Sequence, residues 1–216
     1  MGSLLFDGPA ERSAPREIGG LLRLTGLKVG SVLDTACGYG RHSRVLAAKG
    51  WQVTGLDASS AYLREAGRRA QAAKRTIRFV RGDLRHLEAQ RGRHDLVLNL
   101  FSSFGYERRA ADNVAVLRQL LACLKPGGTL ALELMPRESL QRHVIPLDSR
   151  PIPGGRLFEA RRWLRGGTVL ETRVLWQQGR RSRERDSWMH TYSRAELMRL
   201  LKASGLRGLK GYVSYQ

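Results

Sequence analysis

Residues 32–43 read VLDTACGYGRHS, and after a short amphipathic segment residues 51–57 read WQVTGLD. The two apolar runs are typical of buried strands, and the glycine turn between them leads into a helix. Gly38 and Gly40 lack a Cβ atom, so the backbone can turn tightly and approach a ligand closely. Asp57 lies 23 positions after Asp34, where a carboxylate can accept hydrogen bonds from both hydroxyls of a ribose. The stretch therefore predicts a strand–loop–helix–strand nucleotide site.

The residues after the turn indicate which nucleotide. A dinucleotide site has a third glycine at the start of the helix, whereas here Arg41, His42, Ser43 and Arg44 follow Gly40. The pattern Asp-x-x-Cys-Gly-x-Gly-Arg at 34–41 instead resembles the first motif of class I S-adenosylmethionine-dependent methyltransferases. Later segments resemble the next motifs of that family in the same order: VTGLDAS at 53–59, FVRGDL at 79–84, HDLVLNLF at 94–101 and LKPGGTL at 124–130. A nicotinamide oxidoreductase is therefore disfavoured.

The resemblance implies an enzyme that binds S-adenosyl-L-methionine, transfers its methyl group and releases S-adenosyl-L-homocysteine. The residues implied to bind this cofactor lie in the glycine turn and just past the strand ends: Asp34, Ala36, Cys37, Gly38, Tyr39, Gly40, Asp57, Ala58, Asp83, Leu84, Asn99 and Leu100. By analogy with the family, Asn99 or Leu100 would offer a carbonyl oxygen to the amino group of the methionine end.

The three carboxylates have separate implied roles. Asp57 would bind the ribose hydroxyls, Asp34 would interact around the methionine end directly or through water, and Asp83 would contact the adenine amino group beside a backbone donor from Leu84. Each also has a structural alternative: a helix cap for Asp57, a cap on the glycine loop for Asp34 and a turn residue for Asp83.

The acceptor side is predicted near NLFSSFGY at 99–106, whose aromatic rings either wall the site or belong to the core. A general base is needed only when the acceptor holds a proton at neutral pH. The candidate catalytic residues are His190, Tyr192 and Tyr106, with His143 as a further candidate base. His190 and Tyr192 are preferred because they leave the last strand of a predicted insertion, although lone histidines are more often structural.

Alternating strands and helices predict an α/β fold with a doubly wound, mostly parallel Rossmann-like sheet and helices on both faces. The predicted strands are 31–34, 52–56, 77–80, 95–99 and 129–135, and the predicted helices are 16–25, 41–49, 59–73 (with Ser60 as its cap) and 110–124. Carboxyl ends of parallel strands meet at one edge of the sheet, so Asp34, Asp57, Asp83 and Asn99 should gather there.

Residues 150–190 change character and predict an antiparallel meander of three strands at 157–164, 168–177 and 183–192, with a hairpin at Gly166-Gly167. Ser193 and Glu196 predict a capping box for a helix through Ala203, followed by a final strand at 209–215. We expect a single methyltransferase domain, divided as follows: an N-terminal lid helix at 1–28, a cofactor-binding core at 29–136, an antiparallel insertion covering the substrate at 137–192, and a C-terminal helix and strand at 193–216.

The family usually has one further antiparallel strand, which is not found before Gln216. Either the chain is truncated, or the meander or another subunit completes the sheet, because a bare slot would expose unpaired backbone groups. Monomer and homodimer both stay open. The first hypothesis is O- or N-methylation of a small-molecule acceptor; the alternatives are an RNA methyltransferase and a non-catalytic scaffold on the same fold.

The formal net charge of +19 is high, and 32 of the 38 basic residues are arginine. A polyanionic partner such as nucleic acid would account for it. The arginines are scattered along the chain, however, which favours ordinary solvated faces encoded by a GC-rich genome. A nucleic-acid partner is therefore possible but not favoured.

The remaining composition predicts a reduced, cytoplasmic protein that does not bind membranes. Cys37 and Cys123 fall in predicted interior positions, which indicates neither a disulfide framework nor a metal site. No apolar run reaches the roughly 18 residues that a membrane span needs. Residues 1–12 lack the basic-then-apolar pattern of a signal peptide.

Overall fold

The computed structural model describes residues 8–215, so the first seven residues of the predicted lid lie outside the described part. Its helices are α1 (Pro9–Thr25), α2 (Arg41–Ala48), α3 (Ser60–Ala72), α4 (Ala110–Ala122), α5 (Arg137–His143) and α6 (Arg194–Ala203). Its strands are β1 (Ser31–Thr35), β2 (Gln52–Asp57), β3 (Arg78–Arg81), β4 (His94–Asn99), β5 (Leu124–Leu132), β6 (Leu147–Ile152), β7 (Gly155–Leu164), β8 (Val169–Gln178) and β9 (Arg181–His190). Within residues 8–215, no helix is both long and apolar enough to cross a membrane.

These elements form two compact units. The first contains residues 8–101, 115–133 and 210–215, and the second contains residues 102–114 and 134–209. The first unit holds a five-stranded sheet and the second a four-stranded sheet.

The first unit carries a parallel sheet in the order β3-β2-β1-β4-β5. Asp34 lies opposite Gly55 of β2 and Leu98 of β4, and Thr35 lies opposite Asn99. Because all five strands run in the same direction, their carboxyl ends meet at one edge. The predicted fold class is confirmed, with this sheet joined in the chain to an antiparallel one.

One face of the parallel sheet packs against α1 and α2. Val32, Leu96 and Leu98 are fully buried there beside Ile18 of α1 and Leu46 of α2. Successive strand residues point to opposite faces, so Asp34 lies on the same face as Val32, whereas Thr35 lies on the other. The face of the sheet that packs against α1 and α2 therefore also carries Asp34, the acid nearest the glycine turn.

The N-terminal helix α1 begins at Pro9, well before the predicted start at residue 16. Proline suits the first turn of a helix, where its missing N–H has no helical partner. The helix ends at Thr25 and is capped by Gly26, whose φ of 68° is left-handed and whose N–H donates to the carbonyl of Leu22. The glycines at 19 and 20 do not break it.

The second unit is an antiparallel sheet in the order β6-β7-β8-β9. The predicted meander is confirmed as β7, β8 and β9, and the sheet has a fourth strand, β6, that was not predicted. β6 contains Pro151, a residue that argues against a strand in sequence analysis. A proline is tolerated there because β6 lies at the edge of the sheet. Gly166 and Gly167 both have positive φ in the turn between β7 and β8, as the hairpin prediction required.

Helix caps follow the sequence with one correction. Ser193 accepts from the Glu196 N–H and the Glu196 side chain accepts in return, so the predicted capping box is confirmed. The cap of α3 is Ser59, whose hydroxyl accepts from the Tyr62 N–H, and not Ser60. Ser60 is already helical and cannot supply the extended backbone that a cap needs.

The predicted final strand at 209–215 is wrong, since these residues form no strand. Tyr215 packs instead on α1, where a Cβ atom on Gly20 would lie 2.1 Å from the Tyr215 carbonyl oxygen. The Arg23 guanidinium donates to the same oxygen at 3.2 Å. Tyr215, whose apolar ring contributed to the strand prediction, thus packs on a helix, while Val213 is 95% exposed.

Candidate functional site

The glycine turn after β1 has a left-handed backbone at alternate positions. Ala36, Gly38 and Gly40 have φ values of 51°, 55° and 68°. The Cys37 N–H donates to the carbonyl of Leu56 at 3.0 Å, which fixes the turn against β2. A Cβ atom on Gly40 would lie 3.1 Å from the Phe79 ring. Glycine is therefore required at 40 both for its φ and for the close approach.

Asp57 ends β2 and holds two backbone segments. Its Oδ2 accepts from the Gly38 N–H at 2.9 Å, and its Oδ1 accepts from the Ser59 N–H at 2.8 Å. A carboxylate oxygen can accept more than one hydrogen bond, so both oxygens keep acceptor capacity beyond these contacts. The helix-start contact of the structural alternative is present, and binding of a ribose by the remaining acceptor capacity stays a prediction.

Asp34 is buried at 2% exposure, and the Ser43 hydroxyl donates to its Oδ2 at 2.5 Å. Burial raises the pKa of Asp34, and the charges of His42 and Arg41 and the bond from Ser43 oppose that rise. Burial and the nearby carboxylates of Asp34 and Asp57 also raise the pKa of the Cys37 thiol, which stays protonated. A buried acid at this position fits a cationic ligand group.

Asn99 lies at the end of β4 and is fully buried. Its side-chain amide donates to the Thr35 hydroxyl at 3.1 Å, while its Oδ1 has no hydrogen-bond partner within residues 8–215. Leu100, next in the chain, is also buried. An unpaired buried acceptor in a native fold calls for an explanation, and a bound donor group is one.

The other predicted cofactor residues differ in how far they are buried. The Arg85 guanidinium donates to both Asp83 oxygens and holds the pKa of that carboxyl at about 2. Leu84 is half-buried, and Ala58 is exposed. Tyr39 is buried and packs edge-on against Tyr62. Asp34, Asp57 and Asn99 thus lie at the ends of neighbouring strands on one edge of the sheet, while Asp83 forms an exposed ion pair just past β3.

A buried ionic group links α1 to α2 beside the turn. Glu17 accepts from Arg41 at 2.8 Å and contacts the His42 Nε2 at 2.7 Å. Burial alone would raise the pKa of Glu17, but the bonds from His42 and Ser13 and the charge of Arg41 lower it to about 2. The structure thus places His42, which follows the glycine turn, in the link between the two helices.

Sequence reasoning missed Glu133 and Tyr215, which lie near each other in the first unit. Glu133 Oε2 accepts from the Phe101 N–H at 3.0 Å and from the Tyr215 hydroxyl at 2.8 Å. Burial, followed by the charge of Glu133, raises the pKa of Tyr215. Phe101 itself has φ of 59°, uncommon for a bulky residue. The available sequence signal was Glu133 itself, an acid among the apolar residues of the strand predicted at 129–135.

The second unit contains a small pocket in which two of the three predicted catalytic residues meet. Its lining includes Phe104, Met189, His190 and Tyr192. The rings of Phe104 and Tyr192 pack with centroids 5.7 Å apart, so Phe104 serves both the core and the pocket wall. Tyr106 is 51% exposed and outside this lining, and His143 is exposed on α5.

The two pocket residues differ in what they can do to a proton. Burial raises the pKa of Tyr192, so its hydroxyl is protonated at neutral pH and can donate a hydrogen bond. The His190 Nε2 lies 3.3 Å from the Arg108 carbonyl oxygen. A hydrogen on Nε2, assigned from that acceptor, leaves Nδ1 with a lone pair. His190 is therefore the better candidate base.

Comparison with known proteins supports the motifs. Residues 32–128 match the family model described as "Methyltransferase domain". The match agrees with the resemblance that the motifs show: residues 32–128 are similar to methyltransferase domains, and the fold is the Rossmann-like fold of that class.

Two curated relatives each match about half of the chain. The protein YqeM of Bacillus subtilis, named as a methyltransferase, is 32% identical over 105 residues, which are 49% of this chain and 42% of that protein. The dTDP-3-amino-3,6-dideoxy-alpha-D-glucopyranose N,N-dimethyltransferase of Streptomyces fradiae is 34% identical over 117 residues, which are 54% of this chain and 44% of that protein. The chain thus spans less than half the length of each.

A solved structure extends the likeness of fold. The S-adenosylmethionine-dependent methyltransferase of Clostridium acetobutylicum superimposes with a TM-score of 0.80 over 95% of this chain and 85% of that one. The two sequences are 16% identical. The match therefore covers the antiparallel part of the fold as well as the parallel sheet.

The low pKa of Glu17 predicts a pH dependence of stability. A carboxylate whose pKa falls from 4.5 to about 2 on folding stabilises the fold above pH 4.5 and loses that contribution as the pH drops towards 2. The wild type should lose up to about 3 kcal/mol more stability across this window than Glu17→Gln. Urea unfolding at a series of pH values measures it.

The exposed Glu88 serves as the control for this experiment. Glu88→Gln should keep the wild-type dependence, because its side chain is solvated. Parallel curves for the wild type and Glu17→Gln would contradict the buried ionic group.

Proposed function

We propose that the protein transfers a methyl group from S-adenosyl-L-methionine to oxygen or nitrogen of a small-molecule acceptor. The observation that carries the proposal is the Asp57 carboxylate, which holds the glycine turn through Gly38 and the start of α3 through Ser59. This arrangement places a bidentate acceptor beside a tight backbone turn, as a nucleoside site requires.

The residues of the first unit fit this cofactor. Asp57 would hold the ribose hydroxyls, and the buried Asp34 would accept from the ammonium of the methionine end. Glycine at 38 and 40 lets the backbone come close. When bound, the cofactor supplies a methyl group on a sulfonium, already activated for in-line displacement.

The acceptor side of this proposal is the small pocket of the second unit, where His190 and Tyr192 lie among apolar and hydroxyl side chains. In this proposal His190 takes a proton from a hydroxyl or ammonium acceptor, and Tyr192 donates a hydrogen bond to it. The Streptomyces fradiae relative is named for an amino sugar, a small acceptor of that kind. A cytoplasmic location and the choice between monomer and homodimer stay predictions.

An RNA substrate remains the second candidate because of one surface. Arg180, Arg181, Arg183 and Arg185 are all exposed at the β8–β9 turn and in the first half of β9. His190 ends the same strand of 10 residues, about 30 Å from its start. A small acceptor in the pocket would not reach these arginines, so a ligand that contacts both would have to be a large polyanion. Ordinary solvation accounts for exposed arginines equally well.

Cofactor binding tests the proposal. Titration calorimetry with S-adenosylhomocysteine should give binding by the wild type, and Asp57→Ala should weaken it at least about tenfold, because hydrogen bonds to a charged group are lost. The matched control is Asp95→Ala. Asp95 also accepts from a backbone N–H, that of Ser31, but at the start of β1.

Asp95→Ala should lower stability and leave the affinity of the folded protein unchanged. Equal loss in both variants would mean that Asp57 acts on the fold and not on a ligand. A folded wild type that fails to bind would favour the scaffold hypothesis.

The pocket predicts a catalytic role for His190. With a hydroxyl acceptor found by screening for transfer of labelled methyl, His190→Gln should lower kcat about 100-fold, because the variant has no base for the acceptor proton. Tyr192→Phe should lower kcat less, because it removes only a hydrogen bond to the acceptor. A kcat of His190→Gln close to that of the wild type would contradict the assignment of the base.

A further inference from the structure

The first half of β9 alternates arginine with other polar residues. Residues 181–186 read RSRERD. Successive residues of a strand point to opposite faces of the sheet, so Arg181, Arg183 and Arg185 share one face and both acids lie on the other. We call the side of the sheet that carries these three residues the arginine face.

The acids of β9 already have partners on the opposite face. Arg173 of β8 donates to Asp186 at 3.0 Å, and Arg162 of β7 pairs with Glu171. The hydrogen bond to Asp186 raises the pKa of Arg173, and the charge of Glu184 contributes as well. Charges of both signs therefore balance one another on this face of the sheet.

The three arginines of the arginine face have no such balance. Their side chains are exposed and make no ion pair or hydrogen bond with another residue of the described range 8–215. Glu159 of β7 lies on the same face, but Arg150 at 3.2 Å and Arg161 at 2.8 Å bracket it. Asp148 lies on β6, at the far edge of the sheet. Solvation accounts for the exposure of the arginines, but not for the sorting of charge between the two faces.

The spacing of the arginine face fits a chain of regularly spaced anions. Alternate residues of a strand are about 7 Å apart, close to the separation of neighbouring phosphates in an extended single strand of nucleic acid. Trp176 of β8 lies directly opposite Arg183 on this face and is partly exposed. An aromatic ring among cations on a sheet can stack an unpaired base while the cations hold the backbone.

The tip of the β8–β9 hairpin disfavours a lipid surface as the partner. Residues 177–183 read QQGRRSR and contain no apolar side chain. Segments that lie on membranes combine basic residues with apolar or aromatic ones that enter the headgroup region. The only aromatic side chain of the proposed surface is Trp176, which lies before this tip and not within it.

We propose that the arginine face of β9 binds the phosphodiester backbone of single-stranded RNA, with one base stacked on Trp176. The inference concerns binding alone. It needs neither methylation of the RNA nor the cofactor, and it does not depend on the proposed function. It gives the second unit a binding surface besides the acceptor pocket.

The test measures the fluorescence anisotropy of a labelled single-stranded RNA of about 12 nucleotides at a series of salt concentrations. The logarithm of the wild-type association constant should fall linearly with the logarithm of the salt concentration. Each phosphate contact adds about 0.7 to this slope, so the triple variant Arg181→Gln, Arg183→Gln, Arg185→Gln should lose about 2 from it and bind about 100-fold more weakly at about 0.1 M salt.

The matched control is the triple variant Arg156→Gln, Arg162→Gln, Arg173→Gln. It removes the same charge from the opposite face of the same sheet, and it should keep the wild-type slope. Equal losses in the two triple variants would overturn the inference, because net charge alone would then explain the binding. A wild type that does not bind the RNA would overturn it as well.

Trp176→Leu tests the stacked base separately. It should weaken RNA binding about fivefold or more and leave the salt slope unchanged, whereas inorganic polyphosphate, which has no bases, should bind as it does to the wild type. An equal effect on both ligands would overturn the stacking. Thermal unfolding checks that each variant folds; if Trp176→Leu does not, the two arginine variants still decide.

Vesicles of anionic phospholipid test the competing partner. Tighter binding of the wild type to such vesicles than to RNA would overturn the inference in favour of a membrane surface. RNA binding that survives in the variant of Arg181, Arg183 and Arg185 would overturn it too. Self-association of that variant would then assign the arginines to keeping the exposed edge of β9 from pairing with another chain.

Discussion

The carboxylate of Asp57 holds together the two backbone segments on which the candidate site depends. One oxygen accepts from Gly38 in the turn after β1, and the other accepts from Ser59 at the start of α3. Neither segment is regular structure. The Cys37 N–H bonds the turn to Leu56 of β2, and Asp57 is the residue that contacts both the turn and Ser59. The parallel order of β1 and β2 brings Asp57 to the turn, and the left-handed backbone at Gly38 directs its N–H towards the carboxylate. The proposed nucleoside site uses the acceptor capacity that the two bonds leave free.

Around that edge the first unit concentrates buried polar groups that its own fold satisfies only in part. Asp34 is buried with one hydroxyl partner, while Asn99 Oδ1 and Arg41 Nη2 have no partner within residues 8–215. Folded proteins rarely keep such atoms without a use, and these three groups lie at the end of β1, at the end of β4 and directly after the glycine turn. The ionic link of Glu17 to Arg41 and His42 joins α1 to α2 at the same place.

The sequence predicted the parallel sheet well because period-two apolar runs, glycine turns and acids at strand ends are local signals that agree with one another. The predicted site residues Asp34, Asp57 and Asn99 lie at the same edge of the sheet for the same reason. Three features were not local. Strand β6 contains Pro151, which is acceptable only at a sheet edge. The segment at 209–215 has an apolar residue that packs on Gly20 of α1, so its pattern indicated burial but not the partner. Glu17, Glu133 and Tyr215 find their partners across long stretches of chain, which no spacing rule could indicate.

Hydrogen exchange of the Gly38 and Ser59 amides, measured with and without S-adenosylhomocysteine, tests the central claim most directly. Both amides donate to Asp57, and a ligand on that carboxylate would hold both in place. Exchange at both should slow when the ligand is added, while amides of the β8–β9 turn keep their rates. Unchanged exchange at Gly38 and Ser59 at saturating ligand would contradict the account, as would slowing confined to residues 179–185.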